Sequence, residues 1–394
     1  MNNDVMQNSR LNPSRPLTIM QVASCFTSWG GMELHLLNLS DQLRARGHRV
    51  IIAAQPGGWV LPRAQAMGLE TFEATVRRQQ DWHDFGRYRA FLRREKVDII
   101  HTHTNWDAVV PSVAARLAGV PVAVMTWHLP APFKSRRGGA LLLSLLYKRM
   151  IAISGSVRDR HIRHGVPPHK IQVIHHGTNT AGFRAVTQSV EEVRAGLGLP
   201  AHATGVGIIG RVSNEKGHDD LLEALRLLRA SHRGLYMVVV GDGQELMLLK
   251  ETASEKGLTD RVLFTGFRDD VNNVINALDM VAVPSTWHEP CSAVIQQAMA
   301  LSRPVIGSRM GGTPEMIVEG ETGLLVPAAD PAALAEAIAK LASDPALRRC
   351  MGEAGAARAE ELFTLSHMTD RVEALYYAEL ARDQPVRLPV AAAS

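Results

Sequence analysis

Short apolar runs alternate with helical patterns along most of the chain. Leu17 to Ala23 (LTIMQVA) is an apolar run closed by Ser24, followed by a polar, Gly-rich turn from Thr27 to Gly31 and a helical pattern from Glu33 through Leu43. After Gly47 a second run, Val50 to Ala54, leads to Gly57-Gly58 and a helix that ends near Gly68. The cycle recurs at Ile99–Ile100 before a helix over Asp107 to Ala118, and at Val122 to Met125 before a loop from Thr126 to Pro132. Repetition of strand, glycine turn and helix predicts a parallel sheet with helices on both faces.

From about Gly205 the alternation begins again. Val206 to Ile209 leads to a helix over Asp219 to Ala230, Tyr236 to Val240 to the turn Gly241-Asp242-Gly243, and Val262 to Phe264 to Gly266. The last complete cycle is Ser285 to Pro327, after the apolar run Met280 to Val283. Helices over Pro331 to Ser343 and Leu365 to Leu380 finish the pattern, and the tail RDQPVRLPVAAAS is expected to be loose. Two successive runs of one architecture predict two doubly wound domains, joined between about Thr180 and Ala203.

A length of 394 residues is more than one core usually organises and fits that division. With 46% hydrophobic and 21% charged residues the chain can bury ordinary cores. The net charge of +4 is spread along the chain, a weak lean towards anionic partners and no nucleic-acid footprint. Cys25, Cys291 and Cys350 are isolated, so neither a disulfide framework nor a zinc site is expected, which suits a reducing cytosol. The opening stretch MNNDVMQNSRLNPSRP has no apolar segment of the signal-peptide kind, and no run approaches the ~20 apolar residues of a membrane span.

The Ser285 to Pro327 cycle has an acid and a proline after a strand, then a helical pattern, then a Gly-Gly turn. A helix starting just past a strand end directs free backbone N–H groups into the crevice outside the sheet, where phosphate or sugar hydroxyls bind. The glycines argue against two ligand classes. Gly30-Gly31 and Gly241-x-Gly243 fall short of the dinucleotide fingerprint, and no Gly-x-x-x-x-Gly-Lys-Ser/Thr loop occurs. Gly210-Arg211-Val212-Ser213-Asn214-Glu215-Lys216-Gly217, between a strand and a helix, carries two cations five residues apart. Read alone, Arg211 and Lys216 are either two solvated surface cations or a clamp for a diphosphate.

GRVSNEKGHDDLLEAL, ALDMVAVPSTWHEP, the helix after it, and GGTPEMIVEGETGLLVP resemble, in that order and spacing, the C-terminal domain of the retaining GT-B glycosyltransferases of family four. WGGMELHLLNLSDQLRARGHRV and DIIHTHTNWD resemble that family's first domain, so the similarity runs from Leu17 to about Tyr377. It implies a GT-B fold of two Rossmann-like domains facing across a cleft: residues 17–190 for the acceptor, 196–364 for the nucleotide sugar, and a last helix, 365–381, packed back on the first domain.

The resemblance also implies roles. Arg211 and Lys216 hold the donor diphosphate and stabilise the leaving group, and Glu289 contacts hydroxyls of the donor sugar. Backbone N–H groups of Cys291, Ser292, Ala293 and Val294 face sugar and phosphate, while Gly30 and Gly31 let the first-domain loop approach the phosphates. His128 matches a histidine near the reacting centre, and Glu33, His103 and His128 are expected on the acceptor side. Two positions depart from the pattern. Gln297 stands where the family has its second glutamate, and Cys291-Ser292 where it commonly has Phe-Gly. A carboxamide accepts from one ribose hydroxyl and donates to the other, where a carboxylate accepts from both.

His101-x-His103 on a strand puts both rings on one face, yet no carboxylate of convincing spacing and no Asp-x-Asp accompanies them, so no metal or other cofactor is expected. Lys134 to Arg149 (KSRRGGALLLSLLYKR) is read either as a buried helix with charged ends or as contact with a membrane surface or lipid-linked acceptor. The expectation is a cytoplasmic enzyme, with peripheral contact at the membrane as an open option. It transfers a sugar from a nucleotide-diphosphate donor to a glycan or lipid-linked acceptor, in cell-envelope or exopolysaccharide synthesis. A nucleotide-sugar epimerase or hydrolase, and a non-catalytic sugar-nucleotide-binding protein, stay open beside it.

Overall fold

The computed structural model describes residues 15–23, 30–74, 82–104, 108–129 and 136–383. Cys25, most of the turn Thr27 to Gly31, Asn105-Trp106-Asp107, Lys134 and the C-terminal tail lie outside them. The chain divides into two compact units. Unit 1 contains 1–152, 158–174 and 369–394, and unit 2 contains 153–157 and 175–368.

Unit 1 is a seven-stranded sheet formed by β1 (Thr18–Ala23), β2 (Arg49–Ala54), β3 (Glu70–Glu73), β4 (Ile99–Thr102), β5 (Val122–Trp127), β6 (Arg149–Ala152) and β7 (Ile171–Val173). Its order is β3-β2-β1-β4-β5-β6-β7 and every pairing is parallel. The winding reverses between β1 and β4, and ligands bind outside the carboxyl ends of strands at such a point. Met20, Val22, Ile51 and Ile100 pack with Tyr88 and Ala114 on one face. The last helix, Leu365–Asp383, is fastened within unit 1 by Glu373, which accepts from Arg46 and His48 at 2.7 and 2.9 Å, and by Glu379, which pairs with Arg149 at 2.7 Å.

Unit 2 repeats the plan with β8 (Thr204–Ile209), β9 (Leu235–Val240), β10 (Val262–Gly266), β11 (Met280–Val283), β12 (Val305–Ser308) and β13 (Gly323–Val326). The order is β10-β9-β8-β11-β12-β13, again all parallel, with the reversal between β8 and β11. Most of its strands are buried on both faces, as parallel sheets require, and so read largely as apolar runs, while the edge strand β10 is half-buried.

Three local expectations need correction. The strand that starts at Val122 continues through Thr126 and Trp127, which places His128 directly at its end. The short strands β3, β6 and β7 have no clear apolar run, since β3 is Glu-Thr-Phe-Glu at the sheet edge and β6 begins with an arginine. An 18-residue helix, Pro345–Leu362, stands where no apolar period announces one. It is read by its ends and its glycines instead. Asp344 caps it by accepting from Leu347 N at 2.9 Å, and at Gly352 a Cβ would sit 2.0 Å from Ser302 O, so only glycine lets the helix lie that close.

Candidate active site

In unit 2 the site is a set of loops at the carboxyl ends of β8, β9, β11 and β12, held together backbone to backbone. The loop Gly210–Gly217 rests on the turn Gly241-Asp242-Gly243. Val212 N donates to Asp242 O at 2.9 Å, and a Cβ at Gly241 or Gly243 would lie 1.9 Å from Gly210 O or 2.1 Å from Val212 O. On the other side Thr286 N donates to Glu215 O at 2.9 Å, and a Cβ at Gly217 would lie 2.0 Å from Pro284 O. Gly312 N donates to Glu289 O at 2.8 Å, and at Gly311 and Gly312 a side chain would strike the carbonyls of Glu289 and Pro290 at 2.3 and 2.0 Å. These glycines therefore serve loop-on-loop packing.

That packing brings two predicted residues into contact. Lys216, in the turn Asn214–Lys216, donates from Nζ to Oε2 of Glu289 at 2.5 Å, and Ser285 Oγ donates to the same oxygen at 3.3 Å. Both bonds use Oε2, so Oε1 is the oxygen Glu289 can offer to a hydroxyl. Arg211, on the same loop, is exposed and makes no ion pair among the described residues. The helix Ala293–Ala300 begins beside this group. Ser292 at its N-cap is buried in extended backbone and gives no side-chain cap bond, so the first-turn N–H groups keep their partial positive charge. Cys291 is half-buried, and burial pushes its thiol up to about 12, which keeps it neutral. Ala293 is exposed and Val294 half-buried.

The two glutamines divide their labour. Gln296 is buried, accepts from Thr178 Oγ1 at 2.6 Å and donates to His176 O at 2.7 Å, a structural anchor. Gln297, half-buried on the adjoining position, makes no such bond among the described residues.

Glu315 was not among the expected residues, though Gly-Gly-Thr-Pro-Glu is a helix-entry pattern. Its carboxylate accepts from Gly155 N at 2.7 Å, Ser156 N at 3.0 Å and His175 Nε2 at 3.1 Å, capping the first turn of the helix Gly155–Arg163. Burial raises its pKa, but the bonds from His175, Gly155 and Ser156 outweigh it and hold the carboxyl below the ordinary 4.5. A depressed carboxyl stabilises the fold above its unfolded value, and the benefit is lost as pH falls through the folded one. Glu315→Gln should cost about 1–2 kcal/mol near pH 7. The gap to the parent in thermal melts should shrink below pH 4.5. A gap independent of pH would contradict the capping role.

In unit 1 the corresponding positions follow β1, β4 and β5. Gly30 is the N-cap of the helix Gly31–Ala45, with extended backbone that any residue adopts, and its Cβ would meet only the flexible end of Glu33; Gly31 has open space around it. Among the described residues nothing requires a glycine at either position. Glu33 is buried, burial raises its carboxyl pKa, and its Oε2 has no hydrogen-bond partner among the described residues. His103 and His128 are buried as well, not presented on an open surface. His103 Nδ1 and His128 Nε2 are 3.2 Å apart, and His35 lies edge-on to His128 with ring centroids 4.9 Å apart. Burial, then His128 and His103, push the His35 pKa far below its usual range, so His35 is neutral. His101 stacks on His103 at 4.3 Å.

Comparison with known proteins follows the same division. The family model for glycosyl transferases group 1 matches residues 189–358, and that for glycosyltransferase family 4 matches residues 29–181. The chain is 33% identical over 216 residues to the lipopolysaccharide core biosynthesis glycosyltransferase LpsE of Rhizobium meliloti, a match spanning 55% of this chain and 59% of the relative. It is 27% identical to the D-inositol 3-phosphate glycosyltransferase of Corynebacterium glutamicum over 90% of this chain and 93% of that one. A crystal structure of Anabaena HepE in complex with UDP superposes with a TM-score of 0.82 at 23% identity, covering 92% of this chain and all of that one. With parallel α/β sheets in both units and a matching family model over each half, the chain belongs to the group 1 glycosyltransferases of the GT-B fold.

Proposed function

We propose that this protein is a retaining hexosyltransferase that moves a sugar from a nucleotide-diphosphate donor to a glycan or lipid-linked acceptor in cell-envelope or exopolysaccharide synthesis, without a metal. The observation that carries the reading is the Lys216–Glu289 pair beside the uncapped start of the helix Ala293–Ala300. A cation and a helix N-terminus suit a diphosphate, and an adjoining carboxylate suits sugar hydroxyls. Arg211, Lys216 and the N–H groups of Cys291 to Val294 take the diphosphate, and Glu289 and Gln297 take hydroxyls. The names of the bacterial relatives support the envelope context.

In the proposed reaction the bond from the anomeric carbon to the diphosphate oxygen breaks while the acceptor oxygen attacks from the same face. The acceptor proton passes to the leaving phosphate oxygen, and Lys216 and Arg211 stabilise the charge that develops there. His128 orients a sugar hydroxyl, and Glu33 lies on the acceptor side. The test is product analysis by NMR with a glycan acceptor. Transfer with retained anomeric configuration supports the proposal. Free sugar or an epimer as the main product would show the hydrolase or epimerase instead, and binding without turnover the non-catalytic protein.

Gln297→Glu restores the carboxylate of the family pattern. If the pocket is an attenuated form of that pattern, donor affinity rises by about 1 kcal/mol in calorimetry. A fall would show an amide fitted to its own ligand.

No helix among the described residues is long and apolar enough to cross a membrane. The helix Arg136–Leu146 nevertheless exposes Leu141 (63%), Leu142 (41%) and Leu145 (63%) while burying Ala140 and Leu143. An apolar outer face suits peripheral contact where a lipid-linked acceptor resides. Leu141→Asp with Leu145→Asp should abolish co-sedimentation with anionic phosphatidylglycerol vesicles; unchanged sedimentation would remove this part of the proposal.

A further inference from the structure

The candidate donor loops lie at the carboxyl ends of the unit 2 strands, and a separate cavity of about 370 Å³ opens at the amino ends. Asp279 precedes β11 and Pro304 precedes β12, and both line it, together with Arg303, Arg348 and Arg349. Parallel strands run one way, so the length of β11, four residues or roughly 13 Å, separates this cavity from the donor loops.

The charges around the cavity do not balance. Asp279 Oδ2 accepts from Gly205 N at 2.8 Å and from Arg194 Nη1 at 3.3 Å, and Oδ1 lies 3.5 Å from Arg348 Nη2. Arg194 is committed elsewhere as well, donating to the carbonyls of Ala277, Pro200 and Ala203. Arg348 spends Nη1 on Leu341 O and Ala342 O at 2.6 and 3.0 Å. Arg303 spends only Nη2, on Asn276 O at 2.6 Å and Asn276 Oδ1 at 2.9 Å. Its buried Nε has no partner among the described residues, and its Nη1 makes no hydrogen bond among them. Arg349 is exposed and pairs with no carboxylate among the described residues. Four guanidinium groups thus gather about two carboxylates, Asp279 and Glu353, a surplus of two positive charges. Burial lowers the Arg303 pKa; Asp279 offsets this in part and Arg194 adds to it. A half-buried cation with unspent donors is stabilised by an anion.

The turn that carries Arg303 is fixed by the backbone. Ser302 holds a left-handed φ of +55°, Arg303 N donates to Ala298 O at 2.9 Å, and Gly352 lets the helix Pro345–Leu362 press on Ser302 O. Leu301 and Pro304 add apolar wall, and the carboxylates of Asp279 and Glu353 can accept from hydroxyl groups.

We propose that this cavity is a second ligand site of unit 2 for the phosphate monoester of a sugar, with the phosphate on Arg303, Arg348 and Arg349 and the hydroxyls on Asp279 and Glu353. Guanidinium forks match phosphate oxygens in pairs, and the two carboxylates favour a hydroxylated body over a second phosphate. The volume is at the small end of ligand clefts, about 300–1,000 Å³, which suits a hexose phosphate better than a nucleotide sugar. None of these residues belongs to the donor loops, so the site does not depend on the transferase reading.

Isothermal titration of the full chain with glucose 6-phosphate, inorganic phosphate and glucose tests it. The expected result is saturable binding of glucose 6-phosphate, with inorganic phosphate about tenfold weaker or more and glucose not bound. Arg303→Gln should weaken the ester about tenfold or more. Arg303 also holds Asn276, so Ser302→Asp serves if that variant unfolds: aspartate tolerates the left-handed φ and sets a carboxylate beside the phosphate position. It should abolish binding with an unchanged thermal melt. Lys216→Ala, in the donor loops, should bind the ester as the parent does. The proposal would be overturned by no saturable binding, by inorganic phosphate binding as tightly as the ester, or by parent-like binding in folded Arg303→Gln or Ser302→Asp. Binding lost in folded Lys216→Ala would also overturn it and would put the ester at the donor loops, a failure distinct from that of the transferase reading.

Discussion

Lys216→Ala should lower transfer by about two to three orders of magnitude while unit 2 stays folded. The magnitude follows from where the charge develops. In the ground state the donor diphosphate already carries charge that water and other cations can meet. As the glycosidic bond breaks, the leaving oxygen gains charge in a place where a fixed cation costs no reorganisation. Lys216 is fixed by its 2.5 Å bond to Glu289 and by the turn that Thr286 and Gly217 pin in place. Removing it also leaves Glu289, whose side chain is only 16% exposed, without its cation. Lys216→Ala and Glu289→Gln should therefore be non-additive, the double variant being less impaired than the product of the two. Steady-state kinetics with a thermal-melt control checks this. Full activity in folded Lys216→Ala would remove the diphosphate role, and strict additivity would remove the coupling.

Gly241→Ala should be the most damaging single methyl in unit 2, costing about 2–5 kcal/mol. Gly241 sits at a φ of +137°, a conformation side chains rarely adopt, and its Cβ would stand 1.9 Å from the carbonyl oxygen of Gly210. Neither partner is a flexible side chain that can move away. Relief requires the Gly210–Gly217 loop to shift, and Arg211 and Lys216 shift with it. Urea denaturation should show the lower midpoint, and donor affinity should fall even where the protein remains folded. Gly31→Ala, at a position with open space around it and no positive φ, is the control and should be neutral to stability. A Gly241→Ala variant as stable as the parent would show that the two loops are not packed as described.

The division of the chain and the sheet architecture were legible because both sheets are parallel and buried. Parallel strands read as unbroken apolar runs, and each is punctuated by the turn before the next helix. What escaped were elements lacking that signal. Three of the four residues of the edge strand Glu70–Glu73 are polar, and the helix Pro345–Leu362 packs through glycines instead of a wide apolar stripe. At the candidate site Lys216 and Glu289 were expected from the family resemblance, and the structure adds a direct bond between them. Gly241 and Gly243 were visible but were weighed only against a dinucleotide fingerprint, whereas their work is to admit a neighbouring loop. Glu315 was missed because nothing local reveals that its partners, Gly155 and Ser156, lie 160 residues away along the chain. The arginines gathered about Asp279 left no trace, since they reach it from separate elements of the fold.

The central claim is that the loops at the carboxyl ends of β8 and β11 bind a nucleotide-diphosphate sugar. Isothermal titration of the full chain with uridine, guanosine and adenosine diphosphate sugars tests it most directly, beside Lys216→Ala and Arg211→Ala. The account predicts saturable binding of one nucleotide class by the parent, weakened about tenfold or more in each folded variant. Binding by no member of the panel, or equal binding by the parent and both variants, would contradict it.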